Sequence, residues 1–303
     1  MSGDRALVFP GLVPLTGPEL AAILGHWDEH LELAARICRF DPAKVEIGGG
    51  SASLPSNVHE ALLAVALIRR TAGRTGRWIA FGGLSAGCLP ALLAAGVITV
   101  EACFELIQEI NVRQIEAKTA RPNGVTLALL PASEGDAQRI ADVMSTPDDQ
   151  PWLSVDLGNG LIALSFRSTD VDLLRRRLAR LGVAILDVAD RAEHCPWAYP
   201  AEQEWGRILA GVDFRPATAA VISPCTGKRV DDTPEAYRLM LTEQWFGTAS
   251  LPRLVDGLIE VGVAAVDLVA PGKSVYVTRM RALLSDRADH DLLTVATGEG
   301  LAG

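Results

Sequence analysis

The sequence predicts an α/β fold, in which a large domain built on a mainly parallel sheet carries a small inserted subdomain. Two observations support this fold class. Short apolar runs that end in Gly or Pro alternate with amphipathic helical stretches, which is typical of parallel strands covered by helices on both faces. Residues 124–190 follow a different order of strands and helices. The chain has 303 residues, 49% of them hydrophobic, and is long enough to bury such a core.

The alternating pattern is expected to form the large domain, from residues 1–123 and 191–303. Strands are predicted at "ALVFPG" (6–11), "WIAFGG" (78–83), "TAAVIS" (218–223) and "AVDLVAPG" (265–272). Amphipathic helices are predicted at 56–70, 88–96, 99–120, 232–244 and 249–262.

The inserted segment, residues 124–190, is expected to form a ferredoxin-like subdomain. Its patterns predict strand, helix, strand, strand, helix and strand in that order, which is the split βαβ arrangement. Gly-Asn-Gly at 158–160 predicts a tight hairpin between the two central strands. Ser168 or Thr169 is expected to cap the second helix, and Gly182 to end it.

Charge and cysteine content argue against several classes of function. A net charge of −9 disfavours a broad surface for nucleic acid or anionic membranes, and the arginine-rich stretch 173–180 is interpreted as a solvated helix face or a small basic patch. The five cysteines lack the spacing of a disulfide framework or a zinc site, so no metal is expected. Neither a signal sequence nor a membrane-spanning run is apparent, and a cytoplasmic location is expected.

The segment "RWIAFGGLSAGCLPALLAAG" predicts a strand, a tight turn and a helix, with Gly83-Leu84-Ser85-Ala86-Gly87 at the turn. This Gly-x-Ser-x-Gly pattern is typical of the nucleophile elbow of α/β-hydrolase-like domains. The small residues on either side let strand and helix approach, and the backbone N–H of Ala86 would face a developing oxyanion. Ser85 is therefore interpreted as a nucleophile, with a structural turn as the alternative.

A nucleophilic serine needs a base, and the sequence offers five histidines. His26 and His30 lie four residues apart without a third metal ligand, which favours a helix surface over a metal site. His290 lies in a charged segment and is expected to be solvated. His194 follows the last strand of the inserted segment, at the start of a predicted helix, where the chain re-enters the large domain. It is the candidate base for Ser85.

Several further segments carry motifs in a recognisable order. They are "VFPG" (8–11), the elbow segment continued as "ALLAAGVIT", "INVRQIEAKTARPNG", "EHCPWAYPA", "VISPCTGKRV" and "LVAPGKSV". Together they resemble the malonyl-CoA:acyl carrier protein transacylases and the acyltransferase domains of polyketide synthases. The resemblance runs almost end to end, and an α/β-hydrolase-like domain with a ferredoxin-like insert is the fold it implies.

The resemblance implies a two-step acyl transfer. Ser85 would attack the thioester of an acyl-CoA with His194 as base, and the backbone carbonyl of Gln244 would orient the histidine. The phosphopantetheine thiol of an acyl carrier protein would then take the acyl group from Ser85. The backbone N–H groups of Leu12 and Ala86 would bind the oxyanion. No bound cofactor is implied, and a monomer acting in trans in fatty-acid or polyketide synthesis is expected.

Arg113 falls at the family's carboxylate-binding arginine. A guanidinium can hold a carboxylate by two charge-assisted hydrogen bonds, so Arg113 predicts a malonyl or substituted malonyl group. The alternative is an exposed helix arginine paired with Glu109 or Glu116.

Five positions depart from the family pattern, and all of them bear on the substrate pocket. One is Ala86, which replaces a larger residue after the serine. Leu12 stands in place of a glutamine, although its backbone N–H is retained. Leu84 replaces the histidine before the serine, and His59 replaces a glutamine that faces the site. Glu193 stands where an aromatic or small residue is usual. If its carboxylate faces the pocket it would repel malonate or pair with Arg113, and could favour an aminoacyl group.

Three other functions remain open from the sequence. An editing acyl hydrolase of the same fold would pass the acyl group to water. A catalytically weak docking protein would bind a carrier protein without turnover. A generic esterase would use Asp187 or Asp190 as the acidic residue of a triad with His194 and Ser85. The acyl group and the particular carrier protein are not fixed by the sequence.

Overall fold

A parallel sheet of five strands lies at the centre of the larger part of the molecule. The computed structural model describes residues 4–72, 78–130, 136–271 and 274–294. The strands of this part of the chain are β1 (Arg5–Phe9), β2 (Trp78–Gly83), β3 (Val125–Leu130), β4 (Trp152–Asp156), β5 (Ile162–Phe166), β6 (Ala184–Ala189), β7 (Ala220–Ile222), β8 (Ala249–Ser250), β9 (Ala265–Ala270) and β10 (Asp289–Thr294). The central sheet has the order β10-β9-β1-β2-β7, and every neighbouring pair in it is parallel.

Helices pack around this sheet, and their apolar faces form the main core. The helices are α1 (Gly17–Leu24), α2 (Glu29–Ile37), α3 (Ser56–Thr71), α4 (Cys88–Ala94), α5 (Val100–Ala120), α6 (Asp136–Met144), α7 (Val171–Arg180), α8 (Glu202–Ala210), α9 (Pro234–Phe246), α10 (Leu251–Glu260) and α11 (Val275–Leu284). Strands β1 and β9 are buried over almost their whole length. Burial on both faces explains why their sequences are continuous apolar runs.

A second, mixed sheet has the order β6-β3-β5-β4-β8. Strand β3 pairs antiparallel with β5 and with β6, and β4 pairs antiparallel with β5. Strand β8 pairs in parallel with β4. Helices α6 and α7 supply a separate apolar core, in which Ile140 and Leu178 pack with Leu127, Leu164 and Phe166. The molecule is thus a mixed α/β protein with one parallel sheet and one mixed sheet.

Most predicted elements of the large domain are present with bounds within a few residues of the prediction, and β2 has the predicted bounds. The cap prediction was wrong, because the side chain of Asp170, not Ser168 or Thr169, accepts the hydrogen bond of the Leu173 N–H at the start of α7. Gly182 follows the end of α7 with a φ of 72°. Strands β8 and β10 and helices α1, α2, α8 and α11 were not predicted. His30 lies on α2, whereas His26 lies in the segment between α1 and α2, which corrects the expected helix surface for His26. Residue 272, the last of the predicted strand 265–272, lies outside the described residues.

None of the helices described is long and apolar enough to cross a membrane. Within the same residues, no group of three or more His, Cys, Asp or Glu side chains is arranged to hold a metal ion. All five cysteines are buried free thiols.

Candidate active site

Ser85 lies on a sharp turn between β2 and α4. Its backbone φ is 54°, a left-handed conformation that is uncommon for a residue with a side chain. The turn is possible because Gly83 and Gly87 have no side chains, so that the backbone can pack closely at both positions. A Cβ added to Gly83 would come within 2.1 Å of the Gly87 carbonyl oxygen, and one added to Gly87 within 2.1 Å of the Pro10 oxygen. The elbow predicted from the sequence therefore has a steric basis in these two glycines.

His194 is hydrogen-bonded to Ser85 on one side and to a backbone carbonyl on the other. The distance between Ser85 Oγ and His194 Nε2 is 2.7 Å, and His194 Nδ1 lies 2.6 Å from the carbonyl oxygen of Gln244. A carbonyl can only accept, so Nδ1 carries the proton and Nε2 is left to accept the Ser85 hydroxyl proton. His194 lies in a loop with a φ of 49°, which corrects the predicted position at the start of a helix.

The loop that carries His194 is held by polar side chains from the second sheet and the segment before it. Asn123 accepts the Ala192 N–H at Oδ1, and its Nδ2 donates to the carbonyls of Ala192 and Trp197. The Thr126 hydroxyl accepts the Glu193 N–H at 2.9 Å, and the Ser165 hydroxyl donates to the Glu193 carbonyl at 2.8 Å. These contacts fix the backbone immediately before His194.

Ser85 and His194 open into a cavity of about 220 Å³. One part of its wall is apolar and includes two stacked indole rings, Trp205 and Trp245, whose centroids lie 4.4 Å apart. Its other apolar residues are Leu12, Ala86, Cys88, Leu89, Ile110, Ala189, Ala198 and Leu241. The polar residues on the wall, besides Ser85 and His194, are Glu60, Gln114, Asp187, Arg191, Glu193 and Gln244.

Glu60, Arg191 and Glu193 form a charged group in this wall. Arg191 Nε donates to Glu193 Oε1 at 2.6 Å, and Asn111 Nδ2 donates to Glu60 Oε2 at 2.9 Å. Burial, reinforced by the charge of Glu193, raises the pKa of Glu60 to about 7, against the lowering effects of Asn111 and Arg191. The pKa of Arg191 is raised, chiefly by the charge of Glu193. This charged group therefore contains two carboxyl groups and one guanidinium.

Arg113 is not brought to the cavity. Ile110 and Gln114, four residues apart on α5, face the cavity, whereas Arg113 does not line it. Its guanidinium is half exposed and paired with Glu109 at 2.8 Å, Glu116 at 3.3 Å and Glu204 at 3.5 Å. This is the arrangement that the alternative interpretation of Arg113 expected, with Glu204 of α8 as an additional partner.

Two other residues that were predicted to face the pocket do not line the cavity. Leu84 is buried in the main core and does not line the cavity. His59 also lies outside the cavity wall, and its Nε2 bonds the Val13 carbonyl at 2.9 Å. Burial lowers the pKa of His59, so the neutral ring donates this hydrogen bond and holds the loop next to Leu12.

The predicted oxyanion donors, Leu12 and Ala86, both line the cavity with Ser85. Backbone N–H groups placed beside a serine nucleophile are what a developing oxyanion requires, so this position is compatible with the predicted role.

Several cavity residues were not identified from the sequence: Glu60, Ile110, Gln114, Arg191, Trp205 and Trp245. Arg191 could have been identified from the sequence, because it lies two residues before Glu193 and alternate residues of an extended segment lie on the same side. Glu60 had a weaker one, since it is the acidic residue that opens the apolar run "ALLAVALI" of α3. The two tryptophans come from α8 and α9 and meet only in the folded chain.

Comparison with solved structures shows which fold the chain has. The malonyl-CoA:acyl carrier protein transacylase of Xanthomonas oryzae superimposes with a TM-score of 0.78 over 96% of this chain and 95% of that one, at 20% identity. The malonyl-CoA:acyl carrier protein transacylase of Synechocystis gives 0.74 over 95% and 96%, at 20% identity.

The chain has the transacylase fold. The resemblance inferred from the sequence motifs is thereby confirmed at the level of the fold. A malonyl-transacylase solved in complex with a type II polyketide synthase acyl-carrier protein has the same fold, with a TM-score of 0.78 over 96% of both chains at 17% identity. No model of a known protein family matches the chain, and no curated protein matches its sequence.

Proposed function

We propose that this protein is an acyltransferase that moves an acyl unit from CoA or a carrier-bound thioester to an acyl carrier protein through an ester on Ser85. The observation that carries the proposal is the hydrogen-bonded chain from Ser85 Oγ through His194 to the Gln244 carbonyl, at the cavity wall. Ser85, His194 and Gln244 are the catalytic group, and the N–H groups of Leu12 and Ala86 are the oxyanion donors.

In the first half-reaction, Ser85 Oγ attacks the thioester carbonyl carbon while its proton passes to His194 Nε2. A C–O bond forms, the C–S bond breaks, and the leaving thiolate takes the proton from His194. In the second half, the phosphopantetheine thiol of the carrier protein gives its proton to His194 and attacks the ester. A C–S bond forms, the C–O bond to Ser85 breaks, and Ser85 regains a proton.

The solved structures with this fold support transfer to a carrier protein, since they include malonyl-CoA:acyl carrier protein transacylases, and one is a malonyl-transacylase in complex with such a carrier. A generic esterase triad is less well supported. His194 Nδ1 is occupied by the Gln244 carbonyl, and Asp190 is paired with Lys118. A malonyl group held by Arg113 would require that guanidinium to leave three carboxylates and turn into the cavity.

We also propose that residues 124–190 are a ferredoxin-like subdomain inserted between residues 1–123 and 191–303. The support is the order β6-β3-β5-β4, with antiparallel neighbours throughout, and the separate core under α6 and α7.

The test is intact-mass measurement after mixing the protein with butanoyl- and malonyl-CoA, followed by addition of an acyl carrier protein bearing phosphopantetheine. We expect an acyl adduct that S85A does not form, and its transfer to the carrier. Ser285, exposed at the end of α11, gives the matched control S285A, which should load normally. CoA release into water without transfer would instead indicate an acyl hydrolase. Neither adduct nor CoA release would leave a docking role.

A further inference from the structure

We infer that the cavity selects an acyl group that carries a protonated amine, which would lie against Glu60 and Glu193. This inference rests on the proposed acyl transfer to Ser85 and names the class of acyl group. It concerns the wall of the cavity and uses residues that the proton transfers do not.

The first observation is the balance of charge on the wall. Three carboxyl groups line the cavity, those of Glu60, Asp187 and Glu193. Of the described residues on this wall, Arg191 is the only one with a permanent positive charge. Its guanidinium is already engaged, with Nε on Glu193 and Nη1 3.4 Å from the Ser56 hydroxyl. Within the described part of the chain, Glu60 is therefore left without a charged partner of its own, and a cation bound beside it would favour its ionised form and pair with it.

The second observation is an unpaired acceptor on the same wall. The Gln244 side chain is 4% exposed, and its Oε1 is buried without a hydrogen-bond partner. A buried acceptor left unpaired destabilises the protein, and an N–H donor from a bound group would relieve that cost. An ammonium group is such a donor and has no acceptor of its own.

A carboxylated acyl group, such as malonyl, would meet negative charges and, in the part of this wall that the structure describes, no free cation. It would enter beside Glu193 and Glu60, and Arg191, the only guanidinium among the described residues of the wall, would have to leave Glu193 to bind it. The helix face that points into the cavity offers Ile110 and Gln114 and no cation, since Arg113 pairs with Glu109, Glu116 and Glu204. Like charges so placed disfavour malonate.

Three pantetheine thioesters of similar length isolate the effect of charge: 3-aminopropanoyl, butanoyl and malonyl. The rate of pantetheine release measures attack on the thioester whether the acyl group then stays on Ser85 or passes to water. We expect the 3-aminopropanoyl thioester to react at least tenfold faster, as kcat/KM, than either of the others. Intact mass identifies the acyl group on Ser85.

Variants tie the preference to the wall. E193Q frees Arg191 and removes one negative charge, so the preference for the amine over malonyl should fall at least tenfold. E60Q should weaken the preference in the same direction without freeing Arg191. Glu260, exposed at the end of α10, gives the matched control E260Q, which should keep the wild-type preference.

The outcomes separate the two proposals. Reaction of all three thioesters at similar rates, or fastest with malonyl, overturns the inference and leaves acyl transfer standing. An amine preference that survives in both E193Q and E60Q also overturns it. If none of the three thioesters reacts or loads Ser85, the proposed function fails and the inference falls with it.

Discussion

Ser85 and His194 meet at 2.7 Å between Oγ and Nε2, and both residues hold left-handed backbone conformations, with φ values of 54° and 49°. They come from different loops, one after β2 and the other after β6. Neither conformation is favoured locally, so each must be imposed by its neighbours. The pair is therefore sensitive to changes in residues that do not react, and the first predictions concern those neighbours.

Substitution of either elbow glycine should damage both folding and activity. In G87A the new methyl group would lie 2.1 Å from the Pro10 carbonyl oxygen, and that backbone cannot move without displacing the loop that carries Leu12. We expect a loss of about 2 kcal/mol or more in the free energy of unfolding, measured by urea denaturation. In G206A, on the exposed face of α8, the methyl group meets nothing within 4 Å. That variant should gain roughly 1 kcal/mol from helix propensity, and equal stability of the two variants would contradict this account.

Removal of the Asn123 amide should slow acylation more than it weakens binding. N123A takes three hydrogen bonds from the loop that carries His194. A histidine displaced by about 1 Å can cost roughly 100-fold in rate. We expect kcat for thioester cleavage to fall about 10- to 100-fold, with KM changed less than threefold, under conditions where the variant is folded.

The control for Asn123 is Asn57, another amide with two hydrogen bonds but none to this loop. Its Nδ2 donates to the Cys38 carbonyl and to Gln108 Oε1, each at 3.0 Å. N57A should lose stability without the fall in kcat. If the two variants lose activity in proportion to their stability, Asn123 has only a structural role.

The side chain of Gln244 should be dispensable for the serine chemistry. His194 is oriented by the backbone carbonyl of Gln244, and the side-chain Oε1 has no hydrogen-bond partner. Q244L retains that carbonyl, so its rate with the butanoyl thioester should stay within about threefold of the wild type. H194A removes the base and should cost about 1000-fold or more. A Q244L rate as low as that of H194A would show that the amide takes part in catalysis.

The sequence predicted the residues that the structure brings together at Ser85 but not the chemistry of the cavity wall. The Gly-x-Ser-x-Gly pattern indicated Ser85, the position after the last strand of the inserted segment indicated His194, and Gln244 came from the family resemblance. Arg113 was harder, because α5 has 21 residues with polar side chains on several faces. Which of its turns would face the cavity depended on how α5 packs against α3 and α8.

Tertiary structure also explains why Glu60, Arg191 and strand β10 were not predicted. Glu60 on α3 and Arg191 after β6 become neighbours only when the second sheet lies against the first part of the molecule. Strand β10 was not predicted because "DHDLLT" is an edge strand with an acidic start, and edge strands need not be apolar.

The last prediction concerns the buried carboxyl group of Glu60 and the pH dependence of stability. Burial raises its pKa from 4.5 to about 7, with Glu193 adding to the effect while Asn111 and Arg191 oppose it. The folded protein therefore holds the Glu60 proton more tightly than the unfolded chain does. This contribution to stability is fully present below about pH 4.5 and is lost as the pH rises through about 7.

Gln in place of Glu60 mimics the protonated form and keeps an oxygen for Asn111. The free energy of unfolding of E60Q, taken relative to the wild type, should therefore increase by roughly 3 kcal/mol as the pH rises from 5 to 8. Urea denaturation of both proteins at several pH values measures this difference. E260Q, on an exposed glutamate, should follow the wild-type curve, and an E60Q curve parallel to it would mean that Glu60 is ionised throughout this range.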